Sequence, residues 1–257
     1  MPSHPFFAGL RSPRILAHRG LVTDDMRAEG IAENSFAAIA AAQAAGAEII
    51  ESDCHLTADG CVVLFHDDNL ERITGDPRAI ADVSLAELED VMAGRGGLAT
   101  LAQALEAFPA SRFNIDVKAA AAADPAGEIV AEHADRVLLT SFSDARRIRA
   151  LAAAERAGGT PATSAGSSVI GRLVAALRIL PAPAVVRRIL RGVDALQVPV
   201  QQGPIRIVTS RLIRAAHACD VEVHVWTVND LNAVRRLLAM GVDGIVTDVA
   251  DRALAAT

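Results

Sequence analysis

The sequence contains no tyrosine and a single tryptophan, and aromatic residues make up 3% of its 257 positions. It has three cysteines, Cys54, Cys61 and Cys219, whose number is odd and whose spacing matches no zinc site. They indicate no disulfide framework and favour a reducing compartment. Residues 1–10 lack the charged and apolar regions of a signal peptide. We therefore predict a cytoplasmic protein.

Two other absences exclude further classes of protein. No apolar run approaches the ~20 residues that a membrane-spanning helix needs. The net charge of −6 argues against general nucleic-acid binding, which requires a basic face. What the chain does have is 51% hydrophobic and 22% charged residues, the balance of a globular protein with a large core. Its length suits one large α/β domain, and we predict that residues 1–257 form a single domain.

Short β-like runs alternate with helical stretches along the chain, a pattern typical of βαβ units and a parallel sheet. Nine candidate strands suit an eight-stranded α/β barrel with one extra hairpin strand. The candidate strands are 14–18, 47–53, 61–67, 113–118, 136–141, 160–164, 194–198, 221–226 and 243–248. The candidate helices are 35–46, 84–94, 100–108, 143–158, 209–220 and 229–241.

The extra strand follows the turn sequence "TADG" at residues 57–60, in which Asp-Gly precedes a new strand. This turn reverses the chain after His55 and returns His66 towards the preceding strand. Residues 67–99 form a short insertion after the hairpin. The sequence "AAAAADPAG" at residues 119–127 is of low complexity, and we predict a surface loop there.

Carboxylates gather where the predicted strands end, which is where parallel barrels place their active sites. Glu51 and Asp53 alternate along one strand and so face the same side, and Asp116 ends another strand. Like charges this close raise one another's pKa values or require a cation, and all-oxygen ligands favour Mg²⁺ or Ca²⁺. We therefore predict that the three acids bind one divalent cation, although any one of them alone could simply pair with Lys118 or Arg19.

Two histidines, His18 and His66, end apolar strands and are the candidate general acid and base, because imidazole titrates near neutral pH. Arg19 offers a planar set of donors suited to phosphate, or else an ordinary surface ion pair.

Glu33, Asn34 and Trp226 each have two interpretations, and His55 has one. Glu33 and Asn34 either cap the first helix or line the mouth beside His18. Trp226, at a strand end, packs either against a substrate or in the core. His55 shares the face of Glu51 and is interpreted as support beside the site.

Together these residues resemble the glycerophosphodiester phosphodiesterase family. The resemblance covers most of the chain in order, through the segments "AHRG" (17–20), "AENSFAAI" (32–39), "IESDCHLTADGCVVLFHDDNLERITG" (50–75), "TLAQALEAFPASRFNIDVK" (100–118) and "VHVWTVNDLNAVRRLLAMGVDGIVTDVAD" (223–251). It implies a TIM (β/α)8 barrel with a small hairpin and insertion after the second barrel strand. It also implies hydrolysis of a small-molecule glycerophosphodiester to glycerol 3-phosphate and an alcohol, with a divalent cation.

The resemblance also implies a role for each matching residue. Glu51, Asp53 and Asp116 match the metal ligands, His18 and His66 the catalytic histidines, and Arg19 and Lys118 the phosphate-binding residues, while Glu33, Asn34 and Trp226 match further site elements. Two departures stand out. The third acid is usually glutamate, so Asp116 leaves the choice of metal open. The segment 67–99 is shorter than the corresponding insertion of many members. The family resemblance therefore does not tell which alcohol the substrate of this chain contains.

Several alternatives remain open at this level. Related barrels act on lipids as D-type phospholipases and release cyclic phosphates, and a non-catalytic phosphate-binding barrel is a third possibility. The nucleophile is water or the substrate's own 2-hydroxyl. Residues 167–192 combine aliphatic side chains with arginines and contain no acid. We interpret this segment as a barrel helix plus a lid, with contact to an anionic membrane surface as the alternative.

Overall fold

The computed structural model describes residues 4–179 and 182–257, and its centre is a barrel of eight parallel strands. The strands are β1 (Arg14–His18), β2 (Ile49–Leu56), β4 (Arg112–Val117), β5 (Val137–Thr140), β6 (Ala162–Thr163), β7 (Ala195–Pro199), β10 (Glu222–Trp226) and β11 (Gly244–Thr247). Their order is β6-β5-β4-β2-β1-β11-β10-β7. A parallel bridge between Ser164 and Ala195 joins the two ends. The predicted TIM-type barrel is confirmed.

Alternation along the strands separates two cores. Ile15, Ala17 and Ile50 point outward and pack under the helices. Leu16 and Ile49 point inward, where they pack with Phe6 and Phe7 from the N-terminal segment. Because side chains repeat with period two, the inward positions nearer the carboxyl ends are His18, Glu51, Asp53, Asn114 and Asp116. The barrel interior is therefore apolar at one end and polar at the other.

Twelve helices are described around the strands, several of them with side-chain caps. Ser84 and Thr100 each form a capping box with the residue three positions later. The helices are α1 (Asp24–Ala28), α2 (Phe36–Ala44), α3 (Glu71–Thr74), α4 (Leu85–Met92), α5 (Leu101–Ala107), α6 (Ala123–Ala131), α7 (Asp144–Arg156), α8 (Ser167–Ile179), α9 (Pro183–Ile189), α10 (Ser210–His217), α11 (Leu231–Ala239) and α12 (Ala250–Ala256).

The prediction of a loop at 119–127 is right for residues 119–122, which are irregular, and wrong from Ala123 onwards, where α6 begins. Ala123, Ala126 and Gly127 are buried on this helix, which packs on α7. A Cβ at Gly127 would lie 2.2 Å from the carbonyl oxygen of Ala150. Small residues therefore allow two helices to approach closely, and the second half of the segment that looked like low complexity belongs to a helix interface.

The predicted hairpin is present. β3 (Val62–Leu64) pairs antiparallel with β2, with His55 opposite Val63. The insertion that follows is ordered around its own apolar cluster, which includes Val63, Phe65, Leu70 and Leu88. A second hairpin, of β8 (Gln201–Gln202) and β9 (Ile205–Arg206), has no counterpart in the prediction.

The segment 167–192 comprises α8 and α9, and its residues 180–181 lie outside those that the structure describes. Val169, Leu173 and Leu177 of α8 pack into the outer core, while Ile170 and Val174 of the same helix line a cavity. These positions agree with the interpretation of the segment as a barrel helix that also covers the site. In the described residues, no helix is long and apolar enough to cross a bilayer.

Candidate active site

A cavity of about 910 Å³ opens at the carboxyl ends of the barrel strands. One side is polar and contains most of the predicted site residues. These are His18, Arg19, Glu51, Asp53, His66, Asp116 and Lys118. The other side is formed by Phe142, Trp226 and residues of α8 and the β8–β9 hairpin. The structure therefore places the predicted catalytic, metal and phosphate residues around one space.

Lys118 joins two of the predicted metal ligands. Asp53 and Asp116 are register partners on neighbouring strands β2 and β4. The ammonium nitrogen of Lys118 lies 3.0 Å from Asp53 Oδ1 and 2.9 Å from Asp116 Oδ2. Burial alone would lower the pKa of Lys118, but the two carboxylates outweigh it and raise the pKa above its ordinary value. Lys118 is the only lysine in the sequence, and it stays protonated between these acids.

Two of the three acids have raised pKa values. Burial, with the charge of Asp53 added to it, raises the pKa of Glu51 to about 8. Burial likewise raises the pKa of Asp116, whose Oδ1 is buried without a hydrogen-bond partner among the described residues. In the same described residues, no three His, Cys, Asp or Glu side chains converge as a ready metal cluster. The oxygen atoms of Glu51, Asp53 and Asp116 are the kind of ligand that a hard cation prefers. In their present positions, however, Asp53 and Asp116 are bridged by Lys118.

His18 is held by an aspartate that ends the last barrel strand. Its Nδ1 lies 2.5 Å from Asp248 Oδ1, and Asn229 Nδ2 donates to Asp248 Oδ2 at 2.6 Å. Its Nε2 lies 3.9 Å from Glu51. Burial would lower the pKa of His18, but the bond with Asp248 and the charge of Glu51 outweigh burial and raise it.

His66 is held in the same manner from another direction. Its Nδ1 lies 2.8 Å from Asp67 Oδ1, and Arg72 Nε donates to the other oxygen of Asp67 at 2.5 Å. His55 Nε2 lies 3.2 Å from the backbone carbonyl oxygen of His66. Because His55 is 4% exposed, it supports the His66 backbone from behind, which agrees with the supporting position expected for it.

Arg19 enters the site from a strained turn. Its φ is 57°, and Gly20 after it has φ 83°. A Cβ at Gly20 would lie 2.7 Å from the backbone of Ala38, so only glycine fits between this turn and α2. The Arg19 side chain lies 2.9 Å from Glu33 Oε1 and 3.3 Å from Asp53 Oδ2. The turn thus directs a guanidinium beside the acids.

Glu33 and Asn34 lie behind this arginine rather than at the mouth. Glu33 Oε1 accepts hydrogen bonds from Arg19 and from Arg72. Asn34 is 1% exposed, and its Oδ1 accepts a hydrogen bond from Ser52 Oγ at 2.7 Å. Neither residue lines the cavity: Glu33 holds Arg19, and Asn34 Nδ2 lies 3.5 Å from Asp53 Oδ2. Neither caps α2, because the N-cap of that helix is Ser35.

Trp226 and Phe142 form the aromatic wall of the cavity. Their ring centroids are 5.6 Å apart with the planes at 68°. The Lys118 ammonium lies 5.3 Å from the centre of the Phe142 ring, close enough for a cation–π contact. Trp226 thus faces the cavity as well as the core, and Phe142 is a site residue that the sequence did not single out.

A hydrogen-bonded floor of neutral side chains was also missed. Gln197 Nε2 donates to Asn114 Oδ1 at 3.0 Å, and Ser164 Oγ donates to Gln197 Oε1 at 3.3 Å. The hydroxyls of Thr140 and Ser164 are bonded to each other. The period-two pattern could have found these residues, since each lies on an inward position of its strand.

The fold and the site define a barrel enzyme with acids and histidines at the carboxyl ends of its strands. Residues 18–252 match the glycerophosphoryl diester phosphodiesterase family. Over 239 residues the chain is 34% identical to the probable glycerophosphodiester phosphodiesterase 2 of Mycobacterium tuberculosis, covering 92% of this chain and 87% of that one. The chain belongs to this family and is a phosphoric diester hydrolase.

Solved structures agree on the fold. The glycerophosphodiester phosphodiesterase of Thermotoga maritima superposes with a TM-score of 0.74 at 25% identity, covering 96% of this chain and all of that one. A phosphodiesterase of Oleispira antarctica, solved in complex with the product sn-glycerol-3-phosphate, gives a TM-score of 0.70 at 22% identity. That alignment covers 95% of this chain and 96% of that one.

Proposed function

We propose that the enzyme hydrolyses glycerophosphodiesters to glycerol 3-phosphate and an alcohol, with His18 and His66 as general acid and base and with one divalent cation. The observation that carries the proposal is the matched arrangement of the two imidazoles. Each lines the cavity, and each has its Nδ1 bonded to an aspartate. This leaves Nε2 of each ring as the nitrogen that can exchange a proton with substrate.

Glu51 and Asp53 would hold the cation, with Oδ1 of Asp116, which has no hydrogen-bond partner in the described part of the chain, as a third donor. Their oxygen chemistry suits Mg²⁺ or Ca²⁺. When bound, the cation supplies positive charge against the phosphodiester. The raised pKa of Glu51 supports this assignment, because burial and the charge of Asp53 both disfavour its ionised form when no cation is bound.

The residues of the chain have distinct parts in the proposed reaction. Arg19 and Lys118 orient the phosphodiester oxygens by charge and hydrogen bonds. One imidazole takes a proton from the attacking hydroxyl, of water or of the substrate's own 2-position, as the new O–P bond forms. The other gives a proton to the leaving alkoxide as the old P–O bond breaks, so that charge and protons balance. Attack by the 2-hydroxyl gives a cyclic phosphate, which a water molecule must then open at the 2-O–P bond to give glycerol 3-phosphate.

The test is a panel of metals and substrates that measures released glycerol 3-phosphate. Glycerophosphocholine and glycerophosphoethanolamine are offered to chelator-treated enzyme with Mg²⁺, with Ca²⁺ or with neither. We expect turnover only with a cation. Fluorescence of Trp226, the single tryptophan, gives a second measurement, because the cation and glycerol 3-phosphate should each change it without turnover. Retained fluorescence changes without turnover under any condition would support a non-catalytic phosphate-binding barrel instead.

A second candidate is D-type hydrolysis of a lysophospholipid. It is supported by the apolar side of the cavity, where Ile170, Val174 and Ile207 lie opposite the acids. An acyl chain on the glycerol would fit against this wall. Turnover of lysophosphatidylcholine in preference to glycerophosphocholine would support it, and detection of a cyclic phosphate would identify the 2-hydroxyl as nucleophile.

A further inference from the structure

Positive charge is concentrated in one sector of the barrel, residues 164–217. This sector contains eight arginines and a single acidic residue, Asp194, in a chain whose net charge is −6. The carboxylate of Asp194 is used internally, since it accepts a hydrogen bond from the backbone nitrogen of Thr163 at 2.8 Å. All eight arginines are exposed, and they are Arg172, Arg178, Arg187, Arg188, Arg191, Arg206, Arg211 and Arg214.

Exposed arginines on proteins often pair with neighbouring acids, as Arg149 does with Asp124 on α7. Within residues 4–179 and 182–257, none of the eight guanidinium groups forms a salt bridge with a carboxylate. Arg172 and Arg206 donate only to backbone carbonyl oxygens. The sector therefore presents uncompensated positive charge to solvent.

Four of these arginines lie at the mouth end of the sector, and we call them the mouth arginines. Arg172 and Arg178 are on α8, which runs along the cavity, and Arg178 lines it. Arg206 follows Ile205 on the β8–β9 hairpin, and Arg211 is in the first turn of α10, directly after that hairpin. The arginines of α9 precede β7 and so approach the opposite end of the barrel.

The same end of the sector has an apolar rim, formed by Phe142, Ile179 and Ile205. These side chains are 53%, 84% and 36% exposed, and all three line the cavity. Large apolar side chains clustered beside unpaired cations are unusual on a water-facing surface, and such patches mark interaction sites. Bilayer interfaces are recognised by this combination of basic and apolar side chains.

We propose that the mouth arginines and the apolar rim dock the enzyme on an anionic lipid bilayer, with the mouth of the cavity facing the lipid. The charge complementarity favours a surface rich in anionic headgroups over any other occupant, because the rest of the chain is acidic and would be repelled. The sequence alone suggested membrane contact through 167–192. The docking surface adds Arg206, Arg211 and two rim residues, and omits α9.

Docking on a bilayer goes beyond the reaction, and it is measured without turnover, so its failure is separate from that of the proposed chemistry. The experiment is co-sedimentation with vesicles of equal parts phosphatidylglycerol and phosphatidylcholine, and with vesicles of phosphatidylcholine alone. We expect binding only to the anionic vesicles, and weaker binding as salt rises above about 0.1 M. Equal binding to both vesicles, or to neither, would overturn the proposal.

The paired variants make the test specific. Arg206→Gln with Arg211→Gln removes two mouth arginines that lie outside the cavity wall. We expect the vesicle partition coefficient to fall roughly 25-fold, from about fivefold for each of the two basic side chains near an anionic surface. Arg235→Gln with Arg236→Gln on α11 makes the same change in net charge at exposed positions elsewhere. This control should bind as the parent does, and an equal loss in both pairs would show that net charge alone governs binding.

The apolar rim has its own variant. Ile179→Ser with Ile205→Ser keeps the charge and removes two exposed aliphatic side chains, and circular dichroism should show an unchanged fold. We expect this variant to bind anionic vesicles more weakly than the parent at low and at high salt alike, because the lost contribution is apolar. Unchanged affinity in this variant would overturn the docking orientation. If Arg206→Gln with Arg211→Gln lost binding to heparin as strongly as binding to vesicles, the surface would be a general anion-binding surface instead.

Discussion

Asp248 Oδ1 lies 2.5 Å from Nδ1 of His18, so the last strand of the barrel fixes a histidine carried by the first. We predict that Asp248→Asn lowers kcat at least about tenfold with little change in KM, because the imidazole loses the partner that sets its tautomer and orientation. Steady-state kinetics on glycerophosphocholine measures this. Asp251→Asn, on α12, is the matched control, and a parental kcat for Asp248→Asn would show that His18 needs no carboxylate.

The second imidazole allows a direct test of acid–base catalysis. His66→Ala and His18→Ala should each lower kcat at least about 10²-fold, the usual contribution of a positioned proton donor or acceptor. His133→Ala, near the end of α6 and remote from the cavity, should leave turnover close to that of the parent. Near-parental turnover of either site variant, with cation-induced Trp226 fluorescence retained, contradicts the assignment.

Lys118 provides a prediction about metal removal. Lys118→Met leaves Asp53 and Asp116 buried without their ammonium, which should lower the free energy of unfolding by about 3 kcal/mol in chelator. Added Ca²⁺ or Mg²⁺ should then stabilise the variant more than the parent, because binding to the folded state alone raises Tm. Thermal unfolding measures both effects. Arg149→Met, which breaks the exposed pair with Asp124, is the control and should change little in either condition.

Two glycines offer a prediction of opposite signs. Gly127→Ala should lower the free energy of unfolding by about 1–3 kcal/mol, since the new methyl group meets the backbone of α7. Gly171→Ala on α8 should raise it by about 0.5–1 kcal/mol, because alanine is the better helix former. At Gly171 no atom of the described chain lies within 4 Å of the added Cβ. Urea denaturation measures the free energy of unfolding of both variants. Equal effects would contradict the close packing of α6 against α7 at Gly127.

The acid dependence of stability should depend on Glu222. This carboxylate, 3% exposed, lies 2.6 Å from Arg14 and 2.9 Å from His224. Burial would raise the pKa of Glu222, but its bonds with His224 and Arg14 outweigh burial and lower it from 4.5 to about 2. Its contribution is therefore complete above pH 4.5 and is lost as the pH falls towards 2, a change of about 3 kcal/mol.

Glu222→Gln should accordingly be less stable than the parent at neutral pH, with a free energy of unfolding that falls less between those two pH values. Urea titrations at several pH values give the slope. Glu89→Gln, at an exposed position of α4, is the control and should keep the parental slope. A parental slope in Glu222→Gln would mean that another group governs the acid transition.

Much of the fold was predictable because strand and helix periods differ. All nine candidate strands are strands in the structure, and the Asp-Gly turn brings His66 back as expected. The loop predicted at 119–127 failed from Ala123 onwards because the closeness of α6 to α7 is a tertiary effect. The site was predictable wherever charged residues lie at the ends of strands, as at His18 and Asp116. It was not predictable where a neutral residue such as Gln197 or an aromatic such as Phe142 acquires its role from strands far apart in sequence.

Lys118 has one more consequence, for the local opening of the chain. A protease that cleaves after lysine has a single target in this sequence, the peptide bond between Lys118 and Ala119. That bond follows β4, and the Lys118 side chain is held between Asp53 and Asp116 of adjacent strands. Cleavage there requires at least the release of Lys118 from the two carboxylates. The rate of that one cut therefore measures how often this end of β4 opens.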